Sequence, residues 1–426
     1  MKLRHKKHRN SILFHCCIAI FLLAACGGGG KSDSLNTVAT NETMQSEKKK
    51  PIINFYIENS GSMDGYVKGV TEFEQTIYSY LSDIKISGIT DTLNLFYVNS
   101  KVIPYDSIAD IKVISRFIEK LEPDEFRKRG GNRANTDISD VIKLVLKETQ
   151  PNSISILVSD FIFSPEKTKN PEEYMLNQQI GIKNSIAAQF LRKIDNAAIV
   201  VYQLHSKFDG MFYYFDKTRG RELGKNYIGQ RPFYLWLIGD VDNVAELFRQ
   251  IPSDKFRGQS EVNVFSLVAG SKKVNYAVKP HSGNFNLSKQ NPKTEIINLA
   301  KDKRSGKVTF AVNVDLSNLL LDEAYLTNVE NYELNKNNYQ MSIKTIPANE
   351  QGYTHTLSFT SDRVSKGEVI IKLKKQVPQW IYDADDEDGS MPELKKTYGL
   401  KYQIEGVYEG FTLKDKYYTE IKISIN

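Results

Sequence analysis

The sequence predicts an α/β unit with a doubly wound, mostly parallel sheet, followed by a C-terminal β-sandwich-like region. Three observations carry this. Short, nearly wholly apolar runs such as Ile52–Ile57 and Ile154–Val158 suit strands buried on both faces. Segments with apolar residues at helical spacing lie between such runs, and alternating strands and amphipathic helices specify a sheet covered on both sides. Beyond about Ser260 that spacing disappears, and strand-like runs separated by Asn-, Gly- and Lys-rich turns take over.

Order begins at Pro51 with the strand Ile52–Ile57, which ends in Glu58-Asn59-Ser60-Gly61-Ser62. Thr71 and Glu74 have capping-box spacing ahead of a helix with Phe73, Ile77, Leu81 and Ile84 on one face. Leu93–Val98 and Lys101–Tyr105 flank Asn99-Ser100 as a hairpin. Ile111, Ile114, Ile118 and Leu121 mark a second helix. A third begins near Asp137 with Ile138, Val141, Ile142 and Val145. A strand at Ile154–Ser159, a helix at about Ile182–Ile194 and a strand at Ala198–Leu204 continue the alternation. Hairpin-like Met211–Phe215, a strand at Phe233–Ile238 and a helix at Val241–Gln250 complete a unit over 51–255. Lys307–Leu316, Tyr339–Ile346, Thr354–Ser361 and Gly367–Gln376 predict the sandwich over 260–376. A final segment, 377–426, carries a helix at Tyr398–Tyr408 and a strand at Tyr417–Ile425. Its acidic tract Asp383–Gly389 reads as a solvated loop, because its glycine falls one position too late for a calcium loop of the EF-hand type.

Ahead of this lies a processing signal. Five Lys or Arg and no acid occupy the first ten residues, an apolar run follows from Ile12, and residues 1–25 read as a signal peptide. The sequence Leu23-Ala24-Ala25-Cys26 resembles a bacterial lipobox. That resemblance implies cleavage before Cys26, a lipid on its thiol, acylation of the new amino end with chains such as palmitate, and a location in the bacterial cell envelope, on the outer membrane in preference to the inner. An ordinary secretory peptide is the alternative. Residues 26–50 are rich in Gly, Ser, Asn, Thr and Lys and form a lipidated, flexible tether.

The formal charge of +6 is concentrated in the signal, so no nucleic-acid partner is expected. The only cysteines are Cys16, Cys17 and Cys26, which excludes disulfides, a thiolate metal cluster and a cysteine nucleophile in a lipidated mature chain. Ser60 lacks a nucleophile-elbow context and no histidine lies between His15 and His205, so the chain is expected not to be an enzyme and no catalytic residue is assigned.

Oxygen-bearing side chains collect at predicted strand ends and at a helix start: Glu58, Ser60 and Ser62, then Thr136, then Asp160. Hydroxyls mixed with carboxylates suit a hard divalent cation. Separately, each hydroxyl fits an ordinary loop or helix cap. Together and in this order the segments resemble the metal-ion-dependent adhesion site (MIDAS) of von Willebrand factor A (vWA) domains, over about residues 51–255. The resemblance implies loop hydroxyls from Ser60 and Ser62, the threonine role for Thr136 and the strand-end carboxylate for Asp160. Glu58 stands where the family has aspartate, one methylene longer, and magnesium demands near-ideal octahedral geometry. The cofactor so implied is Mg2+, with Mn2+ or Ca2+ as alternatives, and the partner is a protein presenting a carboxylate. Two rivals remain: a structural envelope lipoprotein with a degenerate, metal-free site, and a glycan-binding lipoprotein that uses exposed aromatics.

Overall fold

Fully apolar strands need neighbours on both edges, and the first sheet supplies them. It comprises β1 (Ile52–Glu58), β2 (Leu93–Val98), β3 (Val102–Asp106), β4 (Ser153–Ser159), β5 (Ala197–Asp216), β6 (Arg221–Asp240) and β7 (Asn263–Val268), in the order β3-β2-β1-β4-β6-β5-β7. The computed structural model describes residues 49–133, 137–164, 170–216, 219–347, 351–387 and 394–426. The signal peptide over 1–25, Cys26, nearly all of the 26–50 tether and Thr136 lie outside the described residues.

At the centre of the sheet β1 runs parallel to both β2 and β4. The flanking ladders β2–β3, β4–β6, β5–β6 and β5–β7 are antiparallel. Parallel neighbours require a crossover, and α1 (Glu72–Ser87), α2 (Ile111–Glu119), α3 (Pro123–Lys128) and α4 (Ile138–Glu148) lie in those connections. The capping-box spacing is realised at one end: Thr71 Oγ1 accepts the Glu74 N–H at 3.3 Å, and Phe73, Ile77, Leu81 and Ile84 are buried. β4 is buried along its whole length, which its continuous apolar run requires.

Two elements differ from the sequence-based expectation. β5 and β6 form one hairpin with 20-residue arms, where three shorter strands were expected; the distal arms mix polar and apolar residues, and the arms pair register for register from Ala197↔Asp240 to Asp216↔Arg221. The helix expected from Ile182 begins earlier, as α5 (Pro171–Ser185), which runs through a wide turn at Ile186–Phe190 into α6 (Leu191–Lys193). Asn170 caps it and Pro171 occupies its first turn, a start signal not accompanied by an apolar stripe. α7 (Val241–Gln250) then leads to β7, beyond residue 255, at the edge of the sheet.

The rest of the chain is β-rich. It contains β8 (Tyr276–Val278), β9 (Asn284–Leu287), β10 (Glu295–Ala300), β11 (Val308–Val314), α8 (Glu323–Thr327), β12 (Tyr332–Leu334), β13 (Gln340–Thr345), β14 (His355–Ser361) and β15 (Gly367–Lys374). After these come α9 (Gln379–Ala384), β16 (Asp385–Asp386), β17 (Thr397–Tyr398), α10 (Leu400–Thr412) and β18 (Tyr417–Ile425). One sheet has the order β13-β14-β11-β8 and a second has β12-β15-β18-β10-β9, so the last strand sits in the middle of its sheet. Alternate residues face one core: Phe310 and Val312 from β11, Ile371 from β15, Ile421 and Ile423 from β18. The acidic tract departs from the solvated loop expected of it. Asp385 and Asp386 are buried where β16 pairs with β17, because Asp385 caps the start of α10 through the Lys401 N–H at 3.0 Å.

Candidate functional site

The site is built where β1 and β4, paired side by side, end. Glu58 is the last residue of β1 and is 3% exposed; its Oε2 accepts a hydrogen bond from the Ser159 hydroxyl at the end of β4. Asp160, the next residue, is 2% exposed. Its Oδ1 accepts the Ile162 N–H at 3.3 Å, and its Oδ2 is buried with no hydrogen-bond partner. The backbone turns sharply there, because Phe161 adopts φ +53°, a left-handed conformation uncommon for a large side chain. Stacking of Phe161 on Trp236, at 4.6 Å, and a 2.7 Å hydrogen bond from Gln403 to its carbonyl hold that turn.

Ser60 and Ser62 lie on the loop after β1, with their hydroxyl oxygens 3.0 Å apart. Arg133 locks this loop. Its guanidinium donates to the carbonyls of Asn59 (2.6 Å) and Ser60 (3.1 Å) and pairs with Asp64, while its own carbonyl accepts the Gly61 N–H at 3.3 Å. Four of the five residues singled out in the sequence, Glu58, Ser60, Ser62 and Asp160, are thus placed together at the strand ends; Thr136 falls outside the described residues.

Electrostatics are the site's distinguishing feature. Burial is the main cause that raises the pKa of Glu58 well above the usual carboxylate range, and the charge of Asp160 adds to it; hydrogen bonds from Ser159 and Ser60 oppose the rise. Asp160 is raised by burial too, opposed first by Arg231 and then by the Ile162 N–H and the Ser62 hydroxyl. Two carboxyls drawn out of water toward each other hold their negative charge poorly unless a cation joins them.

Sequence reasoning missed several residues here. Glu222 and Tyr213, from the facing arms of the β5–β6 hairpin, join Glu58, Ser60, Ser62 and Arg133 around a cavity of about 120 Å³. Burial raises the pKa of Glu222, with Asp160 adding to the rise and Ser164 opposing it. Arg231 is fully buried: it stacks over Phe212 at 4.1 Å, donates to the Leu394 carbonyl at 2.9 Å, and leaves its Nε without a partner. A single arginine before an apolar run carries no periodic signal, and its hydrogen-bond acceptors, the Leu394 and Lys396 carbonyls, lie more than a hundred residues away, so local pattern could not find it.

Chemically, the cavity offers hard oxygen donors of the kind magnesium, manganese and calcium prefer. The orphaned Oδ2 of Asp160 and the raised carboxyl pair fit a divalent cation. Among the described residues no group of three or more His, Cys, Asp or Glu converges to hold a metal, so the serine hydroxyls and water would have to complete the coordination. Compared with protein-family models, with curated proteins and with solved structures, the chain matches none of them.

Proposed function

We propose that this protein is a lipid-anchored envelope lipoprotein that binds a protein partner through a divalent cation held in a vWA-like manner by Glu58, Ser60, Ser62 and Asp160, with Thr136 as a fifth donor. The observation that carries the reading is the buried, unpartnered Oδ2 of Asp160 beside a second buried carboxyl and two hydroxyls. When bound, Mg2+ supplies a positive centre that accepts a carboxylate from the partner as its last ligand. Glu58 and Asp160 supply negative charge, the hydroxyls supply neutral oxygens, and Arg133 holds the serine loop in register with the strand ends. Arg231 offsets part of the Asp160 charge.

A cation that binds only the folded chain stabilises it by about 2.7 kcal/mol at 100 times its dissociation constant. Millimolar Mg2+ or Mn2+ is therefore expected to raise the melting temperature of the full chain by a few degrees over chelator, and Asp160→Asn to abolish that rise. Identical melting in Mg2+, Mn2+ and chelator would favour the metal-free structural reading instead. For the anchor, among the described residues no helix is long and apolar enough to cross a membrane. Cys26→Ser is expected to move the protein from the membrane fraction to the soluble fraction, and unchanged membrane recovery would remove the anchor from the proposal.

A further inference from the structure

A second cavity, of about 530 Å³, lies on the opposite side of the sheet's edge strand from β5, between β7, the segment leading through α8, and the stretch that precedes α9. Its size falls within the range of small-molecule sites. It shares no lining residue with the Glu58 cavity. We propose that it binds a neutral saccharide, stacked on Trp380.

The lining chooses the ligand class. Among the described residues around it none is lysine or arginine, while Asp322 and Glu330 contribute carboxyls, so phosphates, nucleotides and carboxylate-bearing ligands meet no counter-charge. Carboxamides dominate the polar lining, with Asn263, Gln376 and Gln379 among them. A carboxamide both donates and accepts, and so does every hydroxyl of a sugar. Trp380 is half-buried on the wall and presents an aromatic surface of the kind that the C–H face of a pyranose covers; Tyr325 stands nearby in the same lining.

An unsatisfied group points the same way. Ser266 is 1% exposed, lines the cavity, and its hydroxyl has no hydrogen-bond partner. A buried hydroxyl without a partner is costly, and a ligand hydroxyl removes that cost. The free edge of β7 does not serve an added peptide strand. Its carbonyls are already taken: Trp380 Nε1 donates to Val264 at 3.4 Å, and the Tyr418 hydroxyl donates to Ser266 at 2.5 Å. Discrete hydroxyl contacts, rather than a ladder, are what remains available.

The test uses the protein's two tryptophans. Trp236 is fully buried in the first sheet, so a ligand-dependent emission change reports Trp380. The full chain is titrated with maltotetraose, cellotetraose, xylotetraose and tetra-N-acetylchitotetraose, by fluorescence and by calorimetry, with and without chelator. At least one is expected to give a saturable change in the millimolar range or tighter that chelator leaves intact, so failure here is separable from failure of the metal reading. Ser266→Ala and Trp380→Ala are expected to weaken that binding about tenfold or more. Gln379→Ala, an exposed position, is expected to weaken it as well without lowering the melting temperature, which guards against loss by misfolding. The proposal is overturned if none of the four saccharides binds, or if binding is unchanged in all three variants.

Discussion

Asp385 shows how much one buried carboxyl can report. It is 2% exposed, its Oδ1 accepts the Lys401 N–H at 3.0 Å, its Oδ2 has no hydrogen-bond partner, and the Lys401 ammonium is 3.9 Å away. Burial is the largest cause acting on it and outweighs the help of Lys401, so its pKa is pushed up from 3.8 to about 7. A carboxyl whose pKa is higher folded than unfolded contributes stability that is fully present below the unfolded value and is lost as pH rises through the folded one. The stability of wild type relative to Asp385→Asn is therefore expected to fall between pH 3.8 and about 7 and to level off above. Denaturant titrations across that window check it, with a slope of at most about 1.4 kcal/mol per pH unit for one proton. A difference that stays flat with pH would mean that Asp385 binds its proton equally in the folded and unfolded chain. Composition alone marks this residue as one of a run of acids; its burial comes from the short β16–β17 pairing, which no run of acids announces.

At the scale of elements, the contact of α10 with α5 is set by two glycines. Gly406 and Gly410 lie four residues apart, on one face of the helix. A Cβ on Gly406 would sit 2.7 Å from the Gln179 carbonyl oxygen, and one on Gly410 would sit 2.6 Å from the Ile186 Cβ. Around this close approach Gln179 donates to Glu409 at 2.6 Å and Lys183 pairs with Glu409 at 2.9 Å. Alanine improves helix propensity by about 1 kcal/mol, whereas forcing a methyl against fixed backbone costs about 1 to 3 kcal/mol. Because the methyl meets backbone that cannot swing aside, the clash wins, and Gly406→Ala is expected to lower stability by up to about 2 kcal/mol, measured by denaturation; a stabilised variant would show that the helices separate freely. The same helix touches the carboxyl site, because Gln403 of α10 holds the carbonyl of Phe161 beside Asp160. Patterns of this kind were half legible. The apolar stripes and caps of α1 and α4 stood out at their true positions, while α5 was legible only from about Ile182 onward and its Asn170-Pro171 start was missed, since part of its buried face consists of Gln179 and Ser185 rather than a hydrophobic row.

For the whole molecule, the decisive question is whether residues 51–255 stand alone. Lys49–Asn426 forms one compact unit. The first sheet takes its edge strand β7 from beyond that boundary, Tyr234 bonds Thr397 at 3.0 Å, and Phe163 donates from its backbone to Tyr398 at 3.1 Å. Removal of 256–426 would strip Arg231 of its carbonyl partners at Leu394 and Lys396 and leave a buried guanidinium unsatisfied. A fragment covering 49–255 is therefore expected to show no cooperative thermal transition, and 49–426 a single one. Cooperative melting of the shorter piece would establish an autonomous α/β domain.

The sequence by itself determined what depends on neighbours a few residues apart. These are the buried runs of β1 and β4, the capped amphipathic helices, the loss of helical period past Ser260, and the hydroxyls and carboxyls that follow the first and fourth strands. Periodicity, caps and turns are local physics, so they leave a local trace. Tertiary structure alone decided the rest. The order β4-β6-β5-β7, the insertion of the C-terminal strand between β15 and β10, the placing of Glu222 and Arg231 beside Asp160, and the cavity that joins Ser266 to Trp380 all unite residues distant in the chain. Such contacts arise when packing and the removal of charge from water act on the folded chain as a whole, and burial of that kind imposes no repeat on the sequence that supplies it.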